Sequence, residues 1–367
     1  CVGMLWIGTE GGGLNRFDPA TETFTHYEYD EKDPHSISGE TVVSLLEDSR
    51  GVLWAGTRAA GLNKFDAQNN RFVRYQYDPA NPDSLANNTV WQIMEDDTGA
   101  LWVTSESGLN KFNPQAHRFT LYRRNPADPN SLSGNYLASF HEDEQGIIWI
   151  GTIGGGLNRF DRIRGTFTHY LNDPANPASL AQNDVRTILP AGNGKLWLAT
   201  GNGFDLFDPA AKTFTHYRHD ADNPNTPLNN NIYTMALDAQ GRLWLACYPD
   251  GASRFDPVTG TFTHFHSNPN DPNSLVIGNI LFIGATSDQA VWFGTEAGIS
   301  RLDPNTGNFT NFTNQNSRLS NNFVPDVYQD SRGTIWVATD IGLNTFDPAT
   351  NDFSAYSVKD GLSGNKV

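Results

Sequence analysis

The sequence predicts an all-β chain folded as a β-propeller of four-stranded antiparallel blades, and three observations carry that reading. A tryptophan-centred string returns eight times at a nearly constant pitch. The same turns and short β-rich segments follow each copy. The composition suits strands and turns: 367 residues include 34 Gly and 20 Pro, aromatics reach 12%, and charged residues only 18%, below the ~25% usual for soluble domains.

The string is LWIGT at Leu5, LWAGT at Leu53, LWVTS at Leu101 and IWIGT at Ile148. It returns as LWLAT at Leu196, LWLAC at Leu243, VWFGT at Val291 and IWVAT at Ile335. The spacings from Trp6 through Trp54, Trp102, Trp149, Trp197, Trp244, Trp292 and Trp336 are 48, 48, 47, 48, 47, 48 and 44. This segment is the second strand of each repeat. A third opens at a glycine, Gly13, Gly61, Gly108, Gly156, Gly203, Gly251, Gly298 or Gly342, in strings such as GLNRF. A tight turn follows, as at Asp18, Asp208, Asp256 and Asp347. The fourth strand carries FTHY or a relative, at Phe24, Phe72, Phe119, Phe167, Phe214, Phe262, Phe309 and Phe353. Before seven of the eight tryptophans lies a first strand, as at 42–46, 90–94 and 232–236, usually ending in an acidic turn with Gly such as 47–51.

These segments are short, rich in Val, Ile, Thr and aromatics, and bounded by Gly, Pro, Asn and Asp, so they read as strands. Tight turns between them make antiparallel neighbours the natural pairing. Four strands in a repeat of ~40–50 residues describe a propeller blade. One such sheet leaves both faces bare, and stacking blades buries them.

The repeat resembles the two-component regulator propeller family, found as extracytoplasmic sensor regions of bacterial hybrid histidine kinases. The eight LWxGT strings, the GLNRFD strings and the linkers of the DPNSLSGN kind at 128–135 carry the resemblance across essentially the whole chain. It implies ligand sensing in a periplasmic or extracellular setting, and no fixed chemistry. No membrane span, kinase signature or immunoglobulin-like segment follows, so the expectation is a sensor piece of a longer receptor or a stand-alone relative.

The repeats predict one propeller domain over 1–367, with blades at about 5–29, 41–77, 89–123, 136–171, 184–218, 231–266, 279–313 and 323–357. The first blade lacks its first strand, and the terminal string Gly364-Asn365-Lys366-Val367 aligns with 39–42, where a first strand begins. Eight blades follow if that stub lies against 5–9; seven with a surplus partial blade is the alternative, which would bare a large aromatic face.

Charge excludes some partners. Twenty-five basic against 41 acidic residues give −16, which argues against nucleic acid and anionic membrane surfaces, both of which need a basic footprint. Apolar runs such as 147–150 and 280–283 fall far short of the ~18 residues of a membrane helix. Cys1 and Cys247 stand 246 positions apart and form no disulfide or zinc framework. Two free thiols are expected; a lipidated Cys1 is the alternative and would need a signal peptide. Met4 after Cys1, Val2 and Gly3 reads as a start inside a longer reading frame.

Residues that recur in every blade are read as structural. This covers the tryptophans, the fourth-strand His26, His169, His216 and His264, and the acidic turn residues Asp48, Asp96, Asp143, Asp238 and Asp330, whose carboxylates bond nearby backbone N–H groups. The oxygen-rich linkers, such as 78–85 and 125–132, offer calcium ligands, but Pro-rich turns explain them equally well, and no metal or other cofactor is assigned.

Chain direction puts the linkers and the second-to-third turns on one face, where propellers usually meet ligands. Three sets of positions there vary from blade to blade. Four residues after the tryptophans stand Glu10, Arg58, Glu106, Ile153, Gly201, Tyr248, Glu296 and Asp340. Eleven before stand Val43, Trp91, Ala138, Arg186, Tyr233, Leu281 and Pro325; thirteen before stand Thr41, Thr89, Tyr136, Asp184, Asn231, Asn279 and Phe323. The candidate ligand-binding residues are therefore Trp91, Tyr136, Tyr233 and Tyr248 for stacking a sugar or other flat group, with Arg58, Arg186, Asp184 and Glu106 for polar contacts. The bland alternative makes each an ordinary core or rim residue.

No nucleophile elbow, HExxH, P-loop or dinucleotide fingerprint is present, so a non-catalytic binding role is expected. Paired carboxylates for glycoside chemistry stay open as an alternative. So does a lyase like the propeller lyases that act on cyclic peptide antibiotics. That would need a non-repeating His with a Glu; among His35, His117, His141, His219 and His266 only His141 lies on a first strand. A pure interaction scaffold is the remaining class.

Overall fold

A computed structural model describes residues 3–114, 116–249, 251–304, 306–364 and 366–367. Cys1 and Asn365 lie outside them; Cys247 is a buried free thiol. The fold class is the one the repeat predicts, an all-β propeller of eight antiparallel blades. Thirty-one strands and one short 3-10 helix, Val358–Asp360, make up the described elements. Seven sheets have four strands in chain order, and the first has three, Leu5–Gly8, Leu14–Asp18 and Thr23–Tyr27. No helix among the described residues is long and apolar enough to cross a membrane.

The chain forms two compact units. The first comprises residues 1–137, 162–167 and 356–367; the second comprises 138–161 and 168–355. In the first unit, the second blade shows how burial grades across a sheet. Leu53–Thr57 is buried along its whole length, Gly61–Asp66 is mostly buried, and Arg71–Tyr75 is half exposed. A strand covered on both faces needs a continuous apolar run, not alternation, and LWAGT supplies it. Trp54 and Leu62 pack with Leu85, Val90, Leu101 and Phe112 of the next blade. The second unit repeats the arrangement, with Trp149 and Leu157 against Val185, Leu196 and Phe207.

The acidic turns bond backbone N–H groups as expected, and they also hold the tryptophans. Asp48 Oδ1 accepts from the Arg50 and Val52 N–H groups, at 3.0 and 2.9 Å, and its Oδ2 from the Trp54 indole at 3.1 Å. The indoles of Trp102, Trp149, Trp244 and Trp336 bond Asp96, Asp143, Asp238 and Asp330 in the same way, at 2.7–3.2 Å. The seventh blade has Thr286 at this place, and the buried Trp292 Nε1 has no partner.

Each linker is clasped by the blade that follows it. Ser38 N–H donates to Asn63 Oδ1 at 2.9 Å, Ala86 N–H to Asn110 Oδ1 at 3.1 Å, and Ser320 N–H to Asn344 Oδ1 at 2.9 Å. The fourth-strand histidines add a second clasp: Nε2 of His216 and of His264 meets the carbonyl of Pro177 and of Pro224, both at 2.9 Å. The C-terminal segment is the linker to the first blade. Ser363 N–H donates to Asn15 Oδ1 at 3.0 Å, and His26 Nε2 bonds the Gly361 carbonyl. The end of the stub meets the turn after 5–9, with Glu10 N–H donating to the Lys366 carbonyl at 2.9 Å, and among the described residues it adds no strand to the first sheet.

The glycines that open the third strands are obligatory. Gly203 has φ +90°, and a Cβ there would stand 2.3 Å from the Tyr217 carbonyl oxygen. In the eighth blade, Pro325 has no N–H to give the ladder, and its first strand starts only at Asp326.

Candidate functional site

The variable positions coincide with an irregularity in the first strand. In the second blade Val42 pairs with Thr57 and Ser44 with Gly56, leaving Val43 without a partner. The same break contains Trp91, Arg186, Tyr233 and Leu281 in the third, fifth, sixth and seventh blades. A β-bulge takes one residue out of the ladder and re-aims its side chain. That residue is released from the packing that fixes its neighbours, which is why it varies where the tryptophan does not. The other two variable positions meet at the same end of the blade. Arg58 N–H donates to the Thr41 carbonyl at 3.0 Å, Tyr248 N–H to Asn231 at 3.0 Å, and Glu296 N–H to Asn279 at 3.2 Å.

In the second unit these positions build a cleft of ≈ 400 Å³, lined by Arg186, Asn231, Tyr233, Tyr248, Asn279 and Glu296 with Ile280 and Leu281. Three consecutive blades supply it. Arg186 Nη1 donates to Asn231 Oδ1 at 2.6 Å and to the Ile232 carbonyl at 3.0 Å, which fixes the guanidinium at the wall. Asn279 Nδ2 donates to Glu296 Oε2 at 2.8 Å. Tyr233 and Tyr248 remain 51% and 46% exposed, so both rings offer a face. The cleft thus combines two aromatic faces, one guanidinium, two amides and one carboxylate. Aromatic faces bury apolar ring surface while amides and charged groups bond hydroxyls, the chemistry by which a polar ring compound is held. The volume lies within the ~300–1,000 Å³ of small-molecule sites.

Of the eight expected site residues, the cleft unites Arg186, Tyr233 and Tyr248. Asp184 serves the fold of the same unit: its Oδ1 accepts from Gly154 N–H at 2.8 Å. Trp91, Tyr136, Arg58 and Glu106 belong to the first unit. Trp91 is a bulge residue, 42% exposed, and Tyr136 is 68% exposed just before the first strand of its blade. Arg58 pairs with Glu10 at 3.2 Å, and Glu10 also meets Lys366 Nζ at 2.6 Å. Glu106 is exposed in its second-to-third turn. Asn231, Asn279 and Glu296 complete the lining although they lie outside the candidate set; each stands in one of the variable positions. The usable signal was that variable positions of consecutive repeats, here the fifth to seventh, are neighbours in space.

The remaining candidates resolve into structure. The linker oxygens serve their own turns: Asp78 Oδ1 accepts from Ala80 N–H at 2.9 Å and Asn81 Oδ1 from Asp83 N–H at 3.1 Å. Among the described residues no group of three or more His, Cys, Asp or Glu is placed to hold a metal ion. His216 Nδ1 stands 2.6 Å from Asp205, whose hydrogen bond raises the imidazole pKa. His141 lies half-buried in Leu137–Glu142, where burial pushes its pKa down.

Comparison with known proteins agrees with this architecture. Residues 36–59, 84–107, 131–154, 226–248 and 318–340 match the model of the two-component regulator propeller. An extracellular domain assigned to a hybrid two-component system of B. thetaiotaomicron is similar over 99% of this chain and 53% of its own, at 21% identity and TM-score 0.58. A second structure, of an extracellular domain assigned to a one-component system of that organism, is similar over 97% and 53%, at 21% and 0.56. The chain thus spans about half the length of these ectodomains. Virginiamycin B lyase from Staphylococcus aureus is similar over 84% of this chain and 93% of its own, at 16% identity and TM-score 0.54. At these identities the likeness is one of fold. No curated protein matches the sequence.

Proposed function

From a chain built of two-component regulator propeller repeats, we propose a sensing module, working outside the cytoplasm, that binds a small molecule or oligosaccharide in the cleft of Arg186, Tyr233 and Tyr248. The observation that carries this reading is the bulge. It sets a variable side chain free of the core in successive blades, and in the fifth and sixth blades those side chains are Arg186 and Tyr233. The module's proposed partners are further domains of a longer receptor, to which ligand occupancy would be relayed. The −16 charge speaks against nucleic acid as the ligand.

Binding is favoured over catalysis by the lining of the cleft. It holds one carboxylate, Glu296, and no histidine, so the acid–base pair of a lyase and the two carboxylates of a glycosidase are both unmatched there.

The test is a thermal-shift screen of oligosaccharides and small metabolites on the full chain and on the Arg186→Ala/Tyr233→Ala variant. A ligand stabilises the form it binds by mass action. Hits that raise Tm of the parent and leave the variant unmoved support the reading. Hits that shift both proteins equally, or turnover of a hit by the variant, overturn it.

A further inference from the structure

We infer that the cleft of the fifth to seventh blades takes a zwitterionic di- or tripeptide, with the peptide's terminal carboxylate on Arg186 and its terminal ammonium on Glu296. The inference rests on the reading of this cleft as the binding site and narrows the ligand to one chemical class.

Uncompensated charge carries it. Acidic residues outnumber basic ones 41 to 25, and Arg50, Arg242, Arg301 and Arg332 each meet an aspartate at 2.7–2.8 Å. Arg186 does not. Among the described residues its half-buried guanidinium bonds only neutral oxygens, Asn231 Oδ1 and the Ile232 carbonyl, and both bonds come from Nη1. Nη2 and Nε are left as donors for a carboxylate, which a guanidinium takes in a planar fork. On the seventh blade Glu296 is exposed, and among the described residues its carboxylate accepts only from the neutral Asn279 amide. Each charge is thus steadied by an amide and met by no opposite charge. The sixth blade stands between them and contributes Tyr233 and Tyr248.

This arrangement separates ligand classes. A neutral sugar would cover both charges and compensate neither, which costs free energy. A uronate would satisfy Arg186 but bring a second carboxylate into the cleft of Glu296. A free α-amino acid carries both charges on one carbon and cannot divide them between the fifth and seventh blades. A di- or tripeptide, extended at up to ~3.3–3.6 Å per residue, can place its termini apart and lay its side chains on the tyrosine faces and Leu281.

The experiment is calorimetric titration of the full chain with alanyl-phenylalanine and alanyl-alanyl-phenylalanine, with their N-acetylated and C-amidated forms, and with maltotriose and trigalacturonate. The free peptides should bind. Acetylation or amidation should each weaken binding about tenfold or more, the size of one lost hydrogen bond to a charged group. In Glu296→Gln the penalty for acetylation should vanish and that for amidation remain. Capped peptides that bind the parent as tightly as free ones, or free peptides that do not bind at millimolar concentration, overturn the inference. A sugar that binds the parent and not the Arg186→Ala/Tyr233→Ala variant overturns it too, but leaves the cleft as the binding site. Free peptides that bind parent and variant equally overturn both.

Discussion

At one end of the blades, the turn between first and second strands sets the same aspartate beside the same tryptophan in five of them. At the other end, the bulged residue is Val43, Trp91, Arg186, Tyr233 or Leu281, no two alike. At the first end of those five blades the indole and the turn share one carboxylate acceptor, so the fold dictates both residues. The bulge end is released from the ladder, so nothing in the fold dictates its side chain. Repetition therefore marks what the fold needs, and variation marks where the fold leaves a choice that function can use.

The sharpest way to break this comparison is to empty the repeated column. Trp149 is 1% exposed and packs with Leu157, Val185 and Leu196. Trp149→Ala should cost roughly 3–5 kcal/mol, the range for large-to-small changes in a core. Urea unfolding would measure it. A loss below about 1 kcal/mol, the size of a surface change, would mean the column is not the core of the blades.

A smaller effect should follow from Asp48→Ala, which leaves the Trp54 indole and the Arg50 and Val52 N–H groups without their acceptor. Stranding buried donors costs about 1–3 kcal/mol. The same turns set the acid limb. Burial pushes the Asp48, Asp96 and Asp330 carboxyls up, but hydrogen bonds to backbone N–H, indole and neighbouring side chains outweigh it and hold them below the ordinary value. Asp352 is held at about 2 by the backbone and side-chain donors of Arg318. A carboxyl depressed in the folded state stabilises above its unfolded pKa of ~4 and loses that contribution as pH falls through the folded value. Tm should therefore drop steeply below about pH 4. In the Asp48→Asn/Asp96→Asn/Asp330→Asn protein the drop should be shallower, and an equally steep limb would remove these turns as its cause.

The strand order and the blade count were legible in the sequence, because each is carried by the repeat. The indole–aspartate bond was not. The aspartates read as turn formers, which they are, and nothing in a string of residues shows that Oδ2 of Asp48 faces the indole six positions later. The cleft was half legible. Tyr233, Tyr248 and Arg186 stood out by chemistry, whereas Asn231, Asn279 and Glu296 look like ordinary loop residues until the bulge and the next blade bring them together. Asp184 showed the converse error of reading, a polar residue at a variable position that holds a neighbouring turn.

The seventh blade, which has Thr286 in place of the aspartate, allows a finer test of the repeated end. Trp54 and Trp292 are both 1% exposed, but only Trp54 has an indole partner. Phe keeps one aromatic ring, loses similar bulk at both sites and deletes the N–H. Trp54→Phe leaves Asp48 Oδ2 with the Arg50 guanidinium as its side-chain donor and no indole, while Trp292→Phe removes a donor that had no acceptor. The first substitution should cost about 1 kcal/mol more than the second, the net value of a hydrogen bond. Equal losses in paired urea titrations would show that the carboxylate merely forms its turn and contributes nothing through the indole.

The smallest expected effect lies at the variable end. Tyr233 is 51% exposed, has no ladder partner and contributes nothing to the core clusters beside it. Tyr233→Ala should therefore change stability by less than about 0.5 kcal/mol, as for surface positions. Arg186→Ala tests the same idea under a harder condition, because the guanidinium bonds Asn231 and the Ile232 carbonyl. If that link serves the fold, its loss will appear as a fall in Tm. If it only holds the guanidinium for a ligand, Tm will stay and ligand stabilisation will vanish. A clear fall in the Tyr233 protein would count most heavily, since it would place the bulge column inside the fold's requirements. Variation along the repeat would then no longer separate binding positions from structural ones.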